Sequence, residues 1–250
     1  TRSRGSGLQS VSSLAEASAF LTSAGAQGRR VRIGEDLATD GLDRVLEHEA
    51  GDLTATVEAG IRLAALNARL AEAGQRLSLD PPGDPTIGAC IASDLSGPRR
   101  HRYGTMRDLV LGVTVVLADG TIANAGGKVV KNVAGYDLGK LLCGSRGTLA
   151  LIARVSLRLH PAPAAARTLV VRSEDPAGAW AALRHAQLEP SAVDVLHPGR
   201  LAVLFEGSAT AVAAQLDAAR ALVGGEEAGE EVWAESRERQ AAAGGLVIFE

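Results

Sequence analysis

The apolar positions of this chain change period several times, and each change marks an element. Ser13-Leu-Ala-Glu16 has the spacing of a capping box, and Leu14, Ala17, Phe20 and Leu21 follow at helical period, predicting a helix that closes near Gly25. Residues 30–33 and 54–57 alternate as strands do, and 42–46 is a third candidate. Residues 61–73, closed by Gly74, read as an amphipathic helix. A Pro/Gly-rich stretch at 80–88 leads to a hairpin predicted over 110–117 and 121–125, with Asp119-Gly120 in its turn. A short helix at 137–143 and a strand at 149–159 complete this mixed α/β half.

Beyond the linker prolines Pro161 and Pro163 the pattern predicts a strand (168–172), a helix (176–187), two strands (192–196 and 201–206) and a helix (210–223). That β-α-β-β-α order is most of a ferredoxin-like unit. The tail reads as a solvated loop and helix, with Glu226, Glu227, Glu230 and Glu231 on a solvated face, and "GLVIFE" at 245–250 is a candidate for the missing strand. No repeat of fixed period is present.

Composition narrows the function classes. With 46% hydrophobic and 22% charged residues over 250 positions, the chain builds one large or two modest cores. A net charge of -3 gives no electrostatic footprint for nucleic acid, the cluster Arg99, Arg100, His101, Arg102 is short, and 3% aromatics leave no base-stacking platform. Cys90 and Cys143 lack CxxC spacing, and His48, His101, His160, His185 and His197 stand outside metal-ligand spacing, so the cysteines read as small hydrophobes and no metal site is expected. No leader is recognised and no apolar run approaches the roughly 18 residues of a bilayer span, so the expectation is a cytoplasmic chain.

The stretch "KVVKNVAGYDLGKLLCGSRGTLALIARVSL" at 128–157 holds Gly135, Gly139, Gly144 and Gly147. A glycine inside a helix costs about 1 kcal/mol relative to alanine and persists mainly where backbone turns sharply or something approaches closely. Either Gly144 and Gly147 end a helix and open a strand, or a ligand lies against them.

Together with "GLDRVLEHEAGDLTATVEAGIRLAALNARLAEAGQRL" at 41–77 and "DPPGDPTIGACIASDLSGPRRHRYGTMRDLVLGVTVVLADGT" at 80–121, that stretch resembles, in order and spacing, the FAD-binding domain of the vanillyl-alcohol oxidase and p-cresol methylhydroxylase (PCMH) superfamily. Within it the motifs are most similar to the FAD-binding E subunits of glycolate oxidases. The resemblance implies an α+β fold: a PCMH-type FAD-binding domain over 1–163, with subdomains at about 1–58 and 59–163, then a ferredoxin-like cap or substrate domain, complete or incomplete, over 164–250. It implies non-covalently bound FAD, with Pro82, Thr86, Ile87, Gly88, Ser93, Ser96 and Gly97 along the diphosphate and ribityl chain, Tyr103 and Gly104 passing the flavin, and Gly147, Thr148, Ala150 and Ile152 giving contacts to the flavin and adenine ends. Glycine-rich turns suit a diphosphate because their N–H groups reach it without side chains intervening. Lys131 with Asn132 either places a cation near the flavin N1 and C2 carbonyl or makes a salt bridge or helix-start contact. Arg107 and Asp108 are expected to pair and hold their loop. The implied function is an oxidoreductase subunit that oxidises a small 2-hydroxy acid such as glycolate or lactate, beside a second flavoprotein subunit and an iron–sulfur subunit. No catalytic residue is assigned.

The sequence departs from the family in two places. Where members carry a glycine-rich phosphate loop after the early strand, this chain has Ile33-Gly34-Glu35-Asp36-Leu37, whose carboxylates are expected to repel a diphosphate, and Ala89 and Ala150 stand at common glycine positions. The His-x-Gly-Asp-Gly-Asn segment of hydroxy-acid dehydrogenases is absent. A flavin-free or non-catalytic scaffold subunit is therefore the alternative expectation.

Overall fold

The computed structural model describes residues 8–127 and 138–242, which divide into two compact units. The first comprises residues up to 77, 84–95 and 105–161; the second comprises 78–83, 96–104 and the residues from 162 onward.

In the first unit an antiparallel sheet runs in the order Val45–Glu49, Thr54–Glu58, Leu151–Arg158, Val110–Val116, Ile122–Gly126. Its central strand is nearly continuous in buried apolar residues (Leu151, Ile152, Ala153, Val155, Leu157), as a strand flanked on both sides requires. Helix Leu63–Ala71 buries Leu63, Leu66 and Leu70, the i, i+3, i+7 stripe that its sequence spells. Helix Leu14–Ala26 starts where Ser13 accepts a hydrogen bond from the Glu16 N–H at 3.2 Å, and Ala17 and Leu21 join a core with Leu37, Leu42, Val116 and Leu151. Two expectations fail here. Residues 30–33 form no strand, because the chain turns back immediately, and it is Leu37–Ala38 that pairs, in parallel, with Gln9–Ser10. The candidate at 42–46 lies further on, at Val45–Glu49, where a hairpin to Thr54–Glu58 fixes its register through a bulge after Val45.

In the second unit the sheet order is Ala192–Leu196, Arg200–Gly207, Ala165–Arg172, Glu226–Ala228, all neighbours antiparallel. Helices Pro176–Arg184 and Ala209–Val223 supply Leu183, Val212 and Leu216 to a core on Leu169, Val171, Val203 and Phe205. Alternate strand residues Ala202 and Leu204 pack instead with Val232 and Trp233 of helix Glu231–Ala242. The run of glutamates is thus misjudged as loop: Glu226–Ala228 is an edge strand on Thr168–Val170, and Glu227 pairs with Arg167. Edge strands tolerate charge because only one face and one side are covered. The 245–250 segment lies outside the described residues.

Candidate functional site

The turn that opens the central strand organises the principal concavity of the first unit. Arg146 and Gly147 both take positive φ, 50° and 72°, and a side chain on Gly147 would begin 3.2 Å from Ile33. The turn is pinned to the end of helix Ile87–Ala92, since the Gly144 and Arg146 N–H groups donate to Ile91 O (2.9 Å) and Ala92 O (2.7 Å). At the same junction Asp94 Oδ1 and Ser145 Oγ are buried with no hydrogen-bond partner. Beside the turn lies a cavity of about 670 Å³, floored by Leu21, Ala24, Val116 and Leu151 and rimmed by Arg29, Arg30, Arg32 and Arg146.

The four arginines are not equivalent. Arg32 is committed to Asp36, through Nε (3.1 Å) and Nη2 (3.0 Å), and to Glu35. Arg29 lies over the Phe20 ring at 4.9 Å. Arg30 and Arg146 are exposed, and their guanidinium groups make no hydrogen bond or ion pair among the described residues. The expected repulsion from Glu35 and Asp36 is accordingly cancelled: hydrogen bonds from Arg32 hold the Asp36 carboxyl below the usual range. The loop is nonetheless no cradle. Its N–H groups are spent internally, Asp36 N on Arg32 O and Gly34 N on Leu37 O, both at 2.8 Å.

The other expected cradle is also occupied. The Ile87 and Gly88 N–H groups donate to Ile61 O (2.9 Å) and Ala59 O (2.7 Å), and Thr86 Oγ1 caps Ala89 N at 3.2 Å. A Cβ on Gly88 would sit 3.1 Å from both the oxygen and the Cβ of Ala59, so this glycine lets a helix approach a neighbouring segment. Ile87 is fully buried, Ile152 nearly so, and Ser93 caps its helix at the exposed C-terminal end. Gly147, Thr148 and Ala150 line the cavity, and Thr148 Oγ1 donates to Ser145 O at 2.6 Å.

Pro82, Ser96, Gly97, Tyr103 and Gly104 belong to the second unit. There Arg99 serves two buried carboxylates: its backbone N donates to Asp80 Oδ1 (3.0 Å), while Nε and Nη2 both reach Glu206 Oε1 (3.2 Å). Tyr103 Oη donates to Glu206 Oε2 at 3.2 Å. Burial pushes the Asp80 carboxyl up, against the pull of Arg99. Gly97 is obligatory, since its Cβ would fall 2.0 Å from Asp80 O. Gly104 turns the chain out of helix Arg100–Tyr103 at φ 82°. Asp108 does not pair with Arg107: adjacent helical side chains diverge, and Asp108 instead closes a capping box with Thr105 N (2.8 Å) and Oγ1 (2.9 Å). Lys131, Asn132 and Gly135 lie outside the described residues. Cys90 is buried, its thiol pushed up to about 12 by desolvation, as an inert core cysteine should be. No three histidine, cysteine or acidic side chains among the described residues are grouped to hold a metal ion.

Sequence reasoning passed over Arg30 and Arg146. The first falls within the strand expected at 30–33, and the second is assigned no role. The available signal was an arginine doublet directly after Gly28 and a lone cation inside a glycine turn.

An apolar-floored cavity rimmed by guanidinium groups suits an anionic ligand with an apolar part. Residues 13–126 match the family described as FAD binding domain. The chain is 35% identical over 201 residues to glycolate oxidase subunit GlcE of Escherichia coli, covering 78% of this chain and 56% of that protein. It is 44% identical over 121 residues to a D-lactate dehydrogenase of Archaeoglobus fulgidus, covering 46% of this chain and 26% of that one. Its fold is that of an alkyldihydroxyacetonephosphate synthase structure, with TM-score 0.75 at 18% identity over 92% of this chain and 53% of that one. The chain is thus related to PCMH-type FAD-binding oxidoreductases of the glycolate and lactate kind, and spans about half the length of the GlcE relative.

The test of fit for an anionic dinucleotide rests on the cations: Arg30 and Arg146 line the cavity with no partner among the described residues, whereas the orphaned Asp94 and Ser145 oxygens are not part of its lining.

Proposed function

We propose that the chain is the FAD-binding part of an oxidoreductase acting on a small 2-hydroxy acid such as glycolate or lactate, working in a complex with a second flavoprotein subunit and an iron–sulfur subunit. The observation that carries this reading is the Gly147 cavity with Arg30 and Arg146 unpaired on its rim, inside a chain whose residues 13–126 match an FAD-binding family. Arg30 and Arg146 neutralise phosphate charge in place of the N–H loop that the 32–37 turn does not provide. Gly147, at positive φ and packed on Ile33, shapes one wall of the cavity, and Leu21, Ala24, Val116 and Leu151 exclude water from its apolar end. Bound FAD supplies a hydride acceptor at flavin N5 for the substrate α-carbon. Binding is non-covalent and the location cytoplasmic. A division near 163, with a ferredoxin-like cap over 164–250 that 78–83 and 96–104 join, is part of the same proposal; the sheet order Ala192–Leu196, Arg200–Gly207, Ala165–Arg172, Glu226–Ala228 supports the ferredoxin-like arrangement.

One set of observations favours a flavin-free scaffold: the N–H groups of the 32–37 turn and of Ile87 and Gly88 already have protein acceptors. The visible spectrum of the purified protein, before and after incubation with excess FAD and desalting, separates the two. Flavin absorbance that survives desalting and bleaches anaerobically with glycolate supports the oxidoreductase. A chain that stays colourless establishes the scaffold.

A further inference from the structure

The second concavity of the first unit lies on the sheet itself. Residues paired across antiparallel strands share a face, so Glu58, Arg154, Thr114 and Asn124 form one row and Thr56, Ser156, Gly112 and Gly126 the next. With Leu46 at one rim, all of these but Glu58 bound a groove of about 490 Å³ that shares no lining residue with the Gly147 cavity. The glycines are required by the crossing of strands, since a Cβ would meet Gly127 O at 2.7 Å from Gly112 and Leu111 O at 2.3 Å from Gly126. Their missing side chains let the backbones approach at the floor of the groove.

The groove has donors to spare. Thr114 Oγ1 gives its proton to Asn124 Oδ1 at 2.6 Å, which leaves the Asn124 amide N–H groups. The Thr56 and Ser156 hydroxyls share one hydrogen bond at 3.0 Å, which leaves one hydroxyl proton. Arg154 has a buried Nε without a hydrogen-bond partner. Glu58, the carboxylate paired across from it, is already held by Arg44 through Nη2 (2.8 Å), Nε (3.0 Å) and the backbone N (3.1 Å). Glu47, also lining the groove, has an interaction of its own. The Arg154 charge also acts on Glu58, but its Nε–H still lacks an acceptor, and an N–H without an acceptor among surplus donors suits a carboxylate.

We propose that this groove is a binding site for a small carboxylic acid, whose carboxylate takes the fork of Arg154 and whose further oxygen takes the Asn124 amide and the remaining hydroxyl proton of the Thr56–Ser156 pair. The site stands independently of flavin binding. The test follows the Arg154 Nε–Hε resonance of the isotope-labelled full chain during titration with sodium glycolate and sodium succinate, with sodium chloride at matched ionic strength as control. The burial of Nε slows its exchange with water and makes it observable. A saturable shift with either carboxylate, absent with chloride, is expected, and Arg154→Lys, which keeps charge without the fork, should weaken it about tenfold. In Arg154→Gln the neighbouring Thr114 and Ser156 amides should cease to titrate. A linear shift matched by chloride, or unchanged titration of those amides in Arg154→Gln, overturns the proposal.

Discussion

Gly88 and Gly147 sit in similar-looking motifs and answer to different constraints. Gly88→Val forces a branched side chain against Ala59, and we expect it to destabilise the fold by about 1–3 kcal/mol, read as a lowered midpoint in urea. Gly147→Ala asks an L-residue to hold φ 72° beside Ile33, at about 1–2 kcal/mol, and its main effect should fall on ligand binding. The cations offer the complementary experiment. Replacing Arg30 and Arg146 together by Gln should weaken FAD about 10–100-fold by fluorescence titration while leaving riboflavin, which has no phosphate, unchanged. An equal loss for both ligands would show that the arginines do not serve the phosphates. His160 illustrates titration at the same scale. Desolvation first, then Arg158 and Arg76, lowers its pKa from 6.5 to about 4. Between those values the unfolded chain takes up a proton that the folded chain refuses, so stability falls as pH drops through this window. His160→Gln should flatten that part of the stability-versus-pH profile.

At the level of elements, packing across the second sheet decides the tail. Trp233 Nε1 donates to the buried Thr168 Oγ1 at 2.8 Å, so Trp233→Phe should leave a buried hydroxyl unpaired and cost about 1–3 kcal/mol in chemical denaturation. That contact also shows where sequence patterning stops. Helices with an apolar stripe and a cap, such as Leu14–Ala26 and Leu63–Ala71, were legible because their signals are local. The hairpin at Asp119-Gly120 was legible for the same reason. Glu226–Ala228 was not, because its strand character comes from Thr168–Val170, far away in sequence, and from cross-strand pairing of Glu227 with Arg167. The 30–33 segment alternates convincingly, yet Asp36 captures Arg32 and closes a turn before a strand can form. Of the candidate site, the glycine turn at 147 was readable, whereas Arg30 and Arg146 gain meaning only when distant segments line one cavity.

For the whole molecule, net charge is small at -3, so local clusters and not the overall field govern anionic ligands. If Arg30 and Arg146 take the place of a backbone cradle, FAD affinity should be unusually sensitive to salt, because exposed guanidinium groups are screened where buried N–H groups are not. A dissociation constant that is flat between low salt and ~0.5 M would argue for the neutral cradle after all.

The path of the backbone carries one more consequence. Residues 78–83 and 96–104 belong to the second unit although the stretches on either side of them belong to the first. Arg99 on one insertion holds Asp80 on the other and also reaches Glu206, more than 100 positions onward in the chain. The second unit therefore cannot be deleted, grafted or inherited as a simple C-terminal cassette: cutting at 162 strips Arg99 of one of its two carboxylates and leaves both insertions without the rest of their unit. Gene fusions and truncations in proteins of this design should survive only when the two early insertions travel together with the strand that anchors them.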